Sequence, residues 1–334
     1  MNTFAQNAVD VLTDCPSRER AGWLCDSYFT SRSERLFTGK NPVEKSFLEN
    51  YAMCPQSPFL PEGMIPMCYP ADHNDGVYIP NWSMWYILEL ADYLRRTGDR
   101  ELIEKSRDRV YGLVKFFSRF YNEFGLLENL ENWVFIEWSK CNDAEYTTGV
   151  NYPSNMLWAA ALEAVDALYD MPELSEKAAK MRKVIREQSW NGTFFEENRI
   201  RDARGNLQKT GHLTETCQYY AFYFDLATPE TDKELFDRMR NAFGPKRDTE
   251  KIWPDVYPSN AIVGNYLRLE ILLMYGYTDQ VLTECKDFFL GMANTTGTLW
   301  EHSNLSCSLN HGFASMAAVY IDQCFKGKKD LRRI

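Results

Sequence analysis

Two kinds of helical segment alternate along this 334-residue chain, and the alternation restricts its fold more than any other property of the sequence. One kind opens on polar or aromatic residues and then runs apolar; such segments begin near Arg18, Trp82, Tyr152, Thr214, Ser259 and Ser308. The other kind is amphipathic and covers residues 43–53, 100–121, 174–188, 232–242 and 278–290. In residues 100–121, Val110, Leu113, Val114, Phe117, Phe120 and Tyr121 recur at steps of three and four and form one apolar face. A helix that is apolar all round has to be covered on both sides, whereas an amphipathic one keeps a face in water. Six segments of the first kind and five of the second predict an inner and an outer ring, an all-α (α/α)6 toroid. The sixth outer helix belongs before Arg18, where only residues 4–12 are available, so it is expected to be short or missing. An apolar flank of the ring left uncovered in this way would recruit a partner, and a homodimer is the expectation.

Composition narrows the function classes. A hydrophobic content of 45% is enough for a large core, and with no Ser/Gly-rich or Pro-rich run to divide the chain, residues 1–334 read as one domain. The formal net charge of −10 argues against nucleic acid and anionic membrane surfaces, which need basic patches. No apolar stretch approaches the roughly 20 residues of a membrane span. Nine cysteines without a regular framework read as free and buried, in a reducing compartment. Residues 1–6 lack the basic and apolar regions of a secretory signal, so the address as written is cytoplasmic. Neither a Gly-rich phosphate loop nor a nucleophile elbow is present. Asp14, Cys25, Cys217, His302 and His311 lack metal-ligand spacing such as CxxC or HExxH, so neither cofactor nor metal is expected.

The densest concentration of chemistry lies in residues 14–26, which hold three carboxylates, two guanidinium groups and the indole of Trp23. Pro16 suits a loop or a first helical turn, because it lacks the N–H that a helix interior needs. With a helix from about Ser17, Glu19 and Asp26 would share one face with Trp23 between them, and a flat ring flanked by acids suits a sugar. The alternative is a capped surface helix on which Arg and Glu simply pair.

Asp14-Cys15-Pro16-Ser17-Arg18-Glu19-Arg20-Ala21-Gly22-Trp23-Leu24-Cys25-Asp26 resembles the signature of the alpha-L-rhamnosidases of glycoside hydrolase family 78, departing at Cys25, where the family usually has Gly. Trp300-Glu301 resembles that family's second signature, and Ser308-Leu309-Asn310-His311 its Asn-His motif. The segment Thr214 to Gln218 resembles a Thr-Gln segment of the same family. The resemblance implies a six-hairpin fold, Glu19 as general acid, Glu301 as general base, inversion at the anomeric carbon, and a sugar pocket lined by Asp14, Arg18, Trp23, Asp26 and His311. Relatives usually carry beta-sandwich domains upstream, so the chain is expected to be N-terminally truncated relative to the family. Trp82 and Trp138 are read as further ligands, because aromatic faces pack against the C–H face and the C5 methyl of a 6-deoxy pyranose. Trp85 and Trp133 read equally as core, Trp253 is placed on the same rim, and Asp72, Asp75 and Glu137 are candidate partners for hydroxyls.

The function implied is hydrolysis of terminal alpha-L-rhamnosides in a rhamnose-containing oligosaccharide or glycoside. Two alternatives stay open: a six-hairpin glycosidase of other sugar specificity, and a carbohydrate-binding remnant without turnover.

Overall fold

A computed structural model describes residues 1–71, 75–247 and 252–327. Helix α1 spans Asn2–Asn7, and six inner and five outer helices follow. The inner helices are α2 (Leu24–Thr38), α4 (Pro80–Thr97), α7 (Tyr152–Tyr169), α9 (Glu215–Tyr223), α11 (Tyr266–Met274) and α13 (Met316–Lys326). Five of them are followed by an outer helix: α3 (Pro42–Met53), α5 (Arg100–Phe117), α8 (Pro172–Ser189), α10 (Lys233–Ala242) and α12 (Thr278–Thr296). A one-turn helix, α6 (Ala144–Thr147), and a small antiparallel sheet of β1 (Val150–Asn151), β2 (Asn198–Arg201) and β3 (Leu207–Lys209) lie between hairpins.

Each inner helix packs beside the next, and α13 packs back against α2, so the ring closes. Inner helices begin at one end of the toroid through local devices. Pro80 occupies the first turn of α4, Asn151 accepts the Ser154 N–H ahead of α7, and Thr214 accepts the Cys217 N–H ahead of α9. The burial pattern follows the sequence: Leu24 to Glu34 of α2 are buried throughout, whereas α8 buries only Leu174, Ala178, Met181, Ile185 and Ser189. All nine cysteines are free, seven of them buried, with Cys307 and Cys324 half-buried.

Three sequence expectations are corrected. The first inner helix begins at Leu24, not near Ser17, so Glu19 and Asp26 do not share a helical face. Residues 14–23 instead form a clasped loop. Asp14 and Ala21 bond reciprocally, and Trp23 bridges to Cys68 as extended chain. A Cβ on Gly22 would stand 2.4 Å from the Tyr69 carbonyl oxygen, so this pairing needs glycine there. Secondly, the apolar flank expected along the first inner helix is absent. The sixth outer position holds only α1, which packs on the turn Gly312–Ser315 and stacks Phe4 near Phe37. Among the exposed apolar residues are Met1 and Val9 beside α1 and Ile321 and Phe325 on α13. Thirdly, a short 3-10 turn, Gly312–Ser315, separates His311 from α13, so His311 precedes the helix.

Beneath the ring's open end, the buried Arg32 of α2 joins four inner helices. Its Nε donates to Asp92 at 3.1 Å, its Nη1 to Glu270 at 2.9 Å, and its Nη2 to the Tyr28 hydroxyl, which meets the Tyr223 hydroxyl at 2.8 Å. Removing one partner of a buried pair leaves the others uncompensated. Arg32→Met is therefore expected to cost about 3–5 kcal/mol, measured by urea unfolding.

Three buried carboxyls act in the opposite sense. Burial pushes Glu137 and Glu197 up to about 8 and Glu215 up to about 7. Their folded-state pKa values exceed the unfolded ones, so folding takes up protons, and their contribution is complete only below the unfolded carboxyl range. Urea midpoints should fall steadily from about pH 5 to about pH 8.

Candidate active site

Nine of the residues singled out from the sequence line one solvent-open cavity of about 70 Å³ at the ring's open end: Asp14, Arg18, Glu19, Trp23, Asp26, Trp82, Trp138, Glu301 and His311. Ile79, Trp133 and Phe135 complete the wall. A cavity of about 420 Å³ at the opposite end is lined by ion-paired side chains such as Arg32, Asp92 and Arg96, and contains none of the expected residues.

The clasped loop projects Arg18 and Glu19, with Arg20 in the left-handed region at φ 51°. Asp26 lies in the first turn of α2, and His311 arrives from the other end of the chain. The His311 Nε2 meets Asp26 Oδ1 at 2.6 Å, and its Nδ1 stands 3.9 Å from Glu301 Oε2. Glu301 is itself buried. It accepts from the indole N–H of Trp138 at 3.1 Å, from the Ser308 N–H at 3.2 Å, and from Arg18 Nη2 at 3.2 Å. Arg18 Nε also meets Glu19 Oε1 at 3.1 Å, so one guanidinium stands between the two glutamates. Among the described residues, the buried Trp82 Nε1 and His311 Nδ1 find no hydrogen-bond partner. Polar atoms placed so on an aromatic wall are what a polyhydroxylated ligand would satisfy.

The surroundings drive the two glutamates apart. Burial raises the pKa of Glu19, and the neighbouring Asp14 adds to it against the opposing pull of Arg18. Burial would raise Glu301 as well, but His311, the Ser308 N–H, Arg18 and His302 hold it below the usual range. His311 shows the complementary balance: burial alone would lower it, but Asp26, with Glu301 and Asp14, raises it.

Several further expectations are placed by the structure. Trp85 is a core residue, fully buried, whereas Trp133 lines the cavity. Trp253 packs against Phe194 away from the cavity. Asp75 is exposed and accepts the Val77 N–H; Glu137 is buried behind Trp138 rather than lining the wall; Asp72 lies outside the described residues. Sequence reading missed Ile79 and Phe135, whose only signal is their position beside Trp82 and between Trp133 and Trp138. His302, weighed in the sequence only as a metal ligand, stands edge-on to Trp138 with ring centroids 5.9 Å apart. Asp14, Cys15 and Glu19 offer atoms within 4.8 Å of one another that could ligate a metal. Burial holds Cys15 as a thiol, and Asp14 already binds the Ala21 N–H, so this trio reads as packing within the clasped loop.

Six inner helices thus close into a toroid whose mouth holds two differently tuned carboxyls. The chain belongs to the bacterial alpha-L-rhamnosidase six-hairpin glycosidase domain family, whose model matches residues 1–311. Among solved structures it is similar to a GH78 family rhamnosidase of Bacillus sp. GL1, with a TM-score of 0.81 and 17% identity over 96% of this chain and 33% of the other. A rhamnosidase from Klebsiella oxytoca with rhamnose bound is also similar, with a TM-score of 0.69 and 18% identity over 96% of this chain and 63% of the other. At these identities the likeness is one of fold, and the chain spans less than two thirds of either relative. No curated protein matches it in sequence.

Because Asp26 raises the His311 pKa through its bond to Nε2, Asp26→Asn should lower that pKa, read from the imidazole Cε1–H shift in a proton NMR titration.

Proposed function

We propose that this chain forms one catalytic unit that hydrolyses terminal alpha-L-rhamnosides with inversion at the anomeric carbon. The observation that carries the reading is the split between Glu19, held above the carboxyl range, and Glu301, held below it. A glycosidase needs one carboxyl protonated near neutral pH and one ionised, and environments that push two carboxyls apart assign the roles. Glu19 is the acid. It stands at the exposed edge of the cavity, where a leaving group departs, while Glu301 is nearly closed off from solvent.

In this reading Glu301 takes a proton from water as the water oxygen bonds to the anomeric carbon. The glycosidic C–O bond breaks, its electron pair stays on the leaving oxygen, and Glu19 supplies the proton there. Inversion requires a gap of about 6.5–9.5 Å between the carboxyls to hold that water. The Arg18 guanidinium meets both Glu19 and Glu301, so the two carboxyls face one space in the cavity. Trp82, Trp133 and Trp138 offer apolar faces for the C5 methyl, and the Klebsiella oxytoca relative supports rhamnose as the sugar.

An aryl alpha-L-rhamnoside with a good leaving group is the test substrate. Glu301→Gln is expected to abolish turnover on every substrate. Glu19→Gln should spare the activated aryl substrate while losing at least about 100-fold on an alkyl one. The first product, caught by proton NMR before mutarotation, should be beta-L-rhamnose; an alpha product overturns inversion, and turnover of other glycosides alone overturns the sugar.

A further inference from the structure

Behind the cavity wall lies a buried acid for which the proposed chemistry has no use. Glu137 has no exposed surface, and among the described residues no Lys or Arg pairs with it. An unpaired buried carboxyl is costly, so its retention calls for a physical reason. Its two oxygens are divided between two backbone donors: Oε1 accepts the Asn260 N–H at 2.6 Å and Oε2 the Gly264 N–H at 2.9 Å. Those amides bracket the π-helical turn Ala261–Asn265 that opens the fifth inner helix. Within it Val263 is held at φ 67°, a strained value for a β-branched residue that persists only where its surroundings impose it. A Cβ on Gly264 would fall 2.1 Å from Glu137 Oε2, so the turn is shaped around the carboxyl.

This turn carries Asn260, and Asn260 reaches the proposed base by two routes. Its Nδ2 donates to the Trp138 carbonyl at 2.7 Å, and it meets His302 Nδ1 at 3.4 Å. The Trp138 indole N–H donates to Glu301 Oε1 at 3.1 Å, and His302 Nε2 stands 3.9 Å from the same oxygen. The geometry points to Glu137 and Asn260 as positioning residues for Glu301, acting through Trp138 and His302. The assignment rests on the role of Glu301 given above, and neither residue touches the cavity. Glu137 keeps a lone pair on each oxygen for its amide whether ionised or protonated. Thr216, Ser139 and Ser259 supply hydroxyls beside it, and Glu197, Cys141 and Tyr220 are titratable groups that face it. A glutamine of the same shape would turn an NH2 group against one of the two N–H donors and release one end of the turn.

Asn260→Ala, at a half-buried position, and Glu137→Gln are measured side by side. Both should lower kcat on the aryl rhamnoside about tenfold with KM within about twofold, since a displaced base affects the chemical step and not sugar binding. Both should raise the acidic limb of the kcat/KM profile, because the Trp138 N–H favours ionised Glu301. A substrate-free readout separates this inference from the activity. In the wild type, the Trp138 indole N–H resonance in a 1H–15N spectrum should titrate with Glu301, assigned by its loss in Glu301→Gln, and in both variants that titration should shift or vanish. Unchanged indole titration in both variants overturns the inference, even if kcat falls. Altered titration in a protein that turns over no rhamnoside upholds the positioning and counts against the proposed function instead.

Discussion

The hydrogen bond between His311 and Asp26 joins residues 285 positions apart, and the candidate site exists only because such closures form. A ring of helical hairpins has no intrinsic reason to bring its first and last elements together except by burying their flanks and pairing their polar groups. Here the Gly312 N–H bonds the Asp14 carbonyl at 2.6 Å, Asn7 meets Asn310, and the Leu299 N–H bonds Thr3. Short α1 therefore works as a clasp more than as a sixth outer helix. The same closure delivers Glu301 to within reach of Arg18, so ring integrity and site assembly are one event.

Closure also sets the electrostatics. Glu19 lies on an exposed loop next to another carboxylate, whereas Glu301 sits among two histidines, a guanidinium and a backbone N–H. Both feel burial, but only Glu301 has enough opposing donors to overcome it. The charge on His311 depends in turn on Asp26, so a residue in the first turn of α2 tunes a carboxyl that reaches the cavity from the far end of the sequence.

A polar interior accompanies this arrangement. Arg32 with Asp92 and Glu270 fastens inner helices beneath the site, and Glu137, Glu197 and Glu215 lie buried near the mouth. Buried ionic groups contribute little net stability compared with apolar packing, so their value here is specificity: each has a fixed set of partners and admits one helix arrangement. At the mouth, that fixity extends through the Asn260 turn to the aromatic wall.

The alternation of helix types was legible in the sequence because burial on two sides and burial on one side demand different periodicities. The alternation alone determined the toroid, the order of its helices and the shortness of the first outer element. The motif residues were legible too, since unlike side chains packed at short spacing stand out from a structural background. Tertiary structure decided the rest. The Asp14–Ala21 clasp and the pairing of Trp23 with Cys68 held residues 14–23 out of the helix that Ser17 appeared to start, because those contacts come from segments distant in sequence. The same distance hid Phe135, Asn260 and the place of His302 beside Trp138. Their side chains have unremarkable neighbours along the chain, and only ring closure, which places loops from different hairpins against one carboxylate, gives them partners.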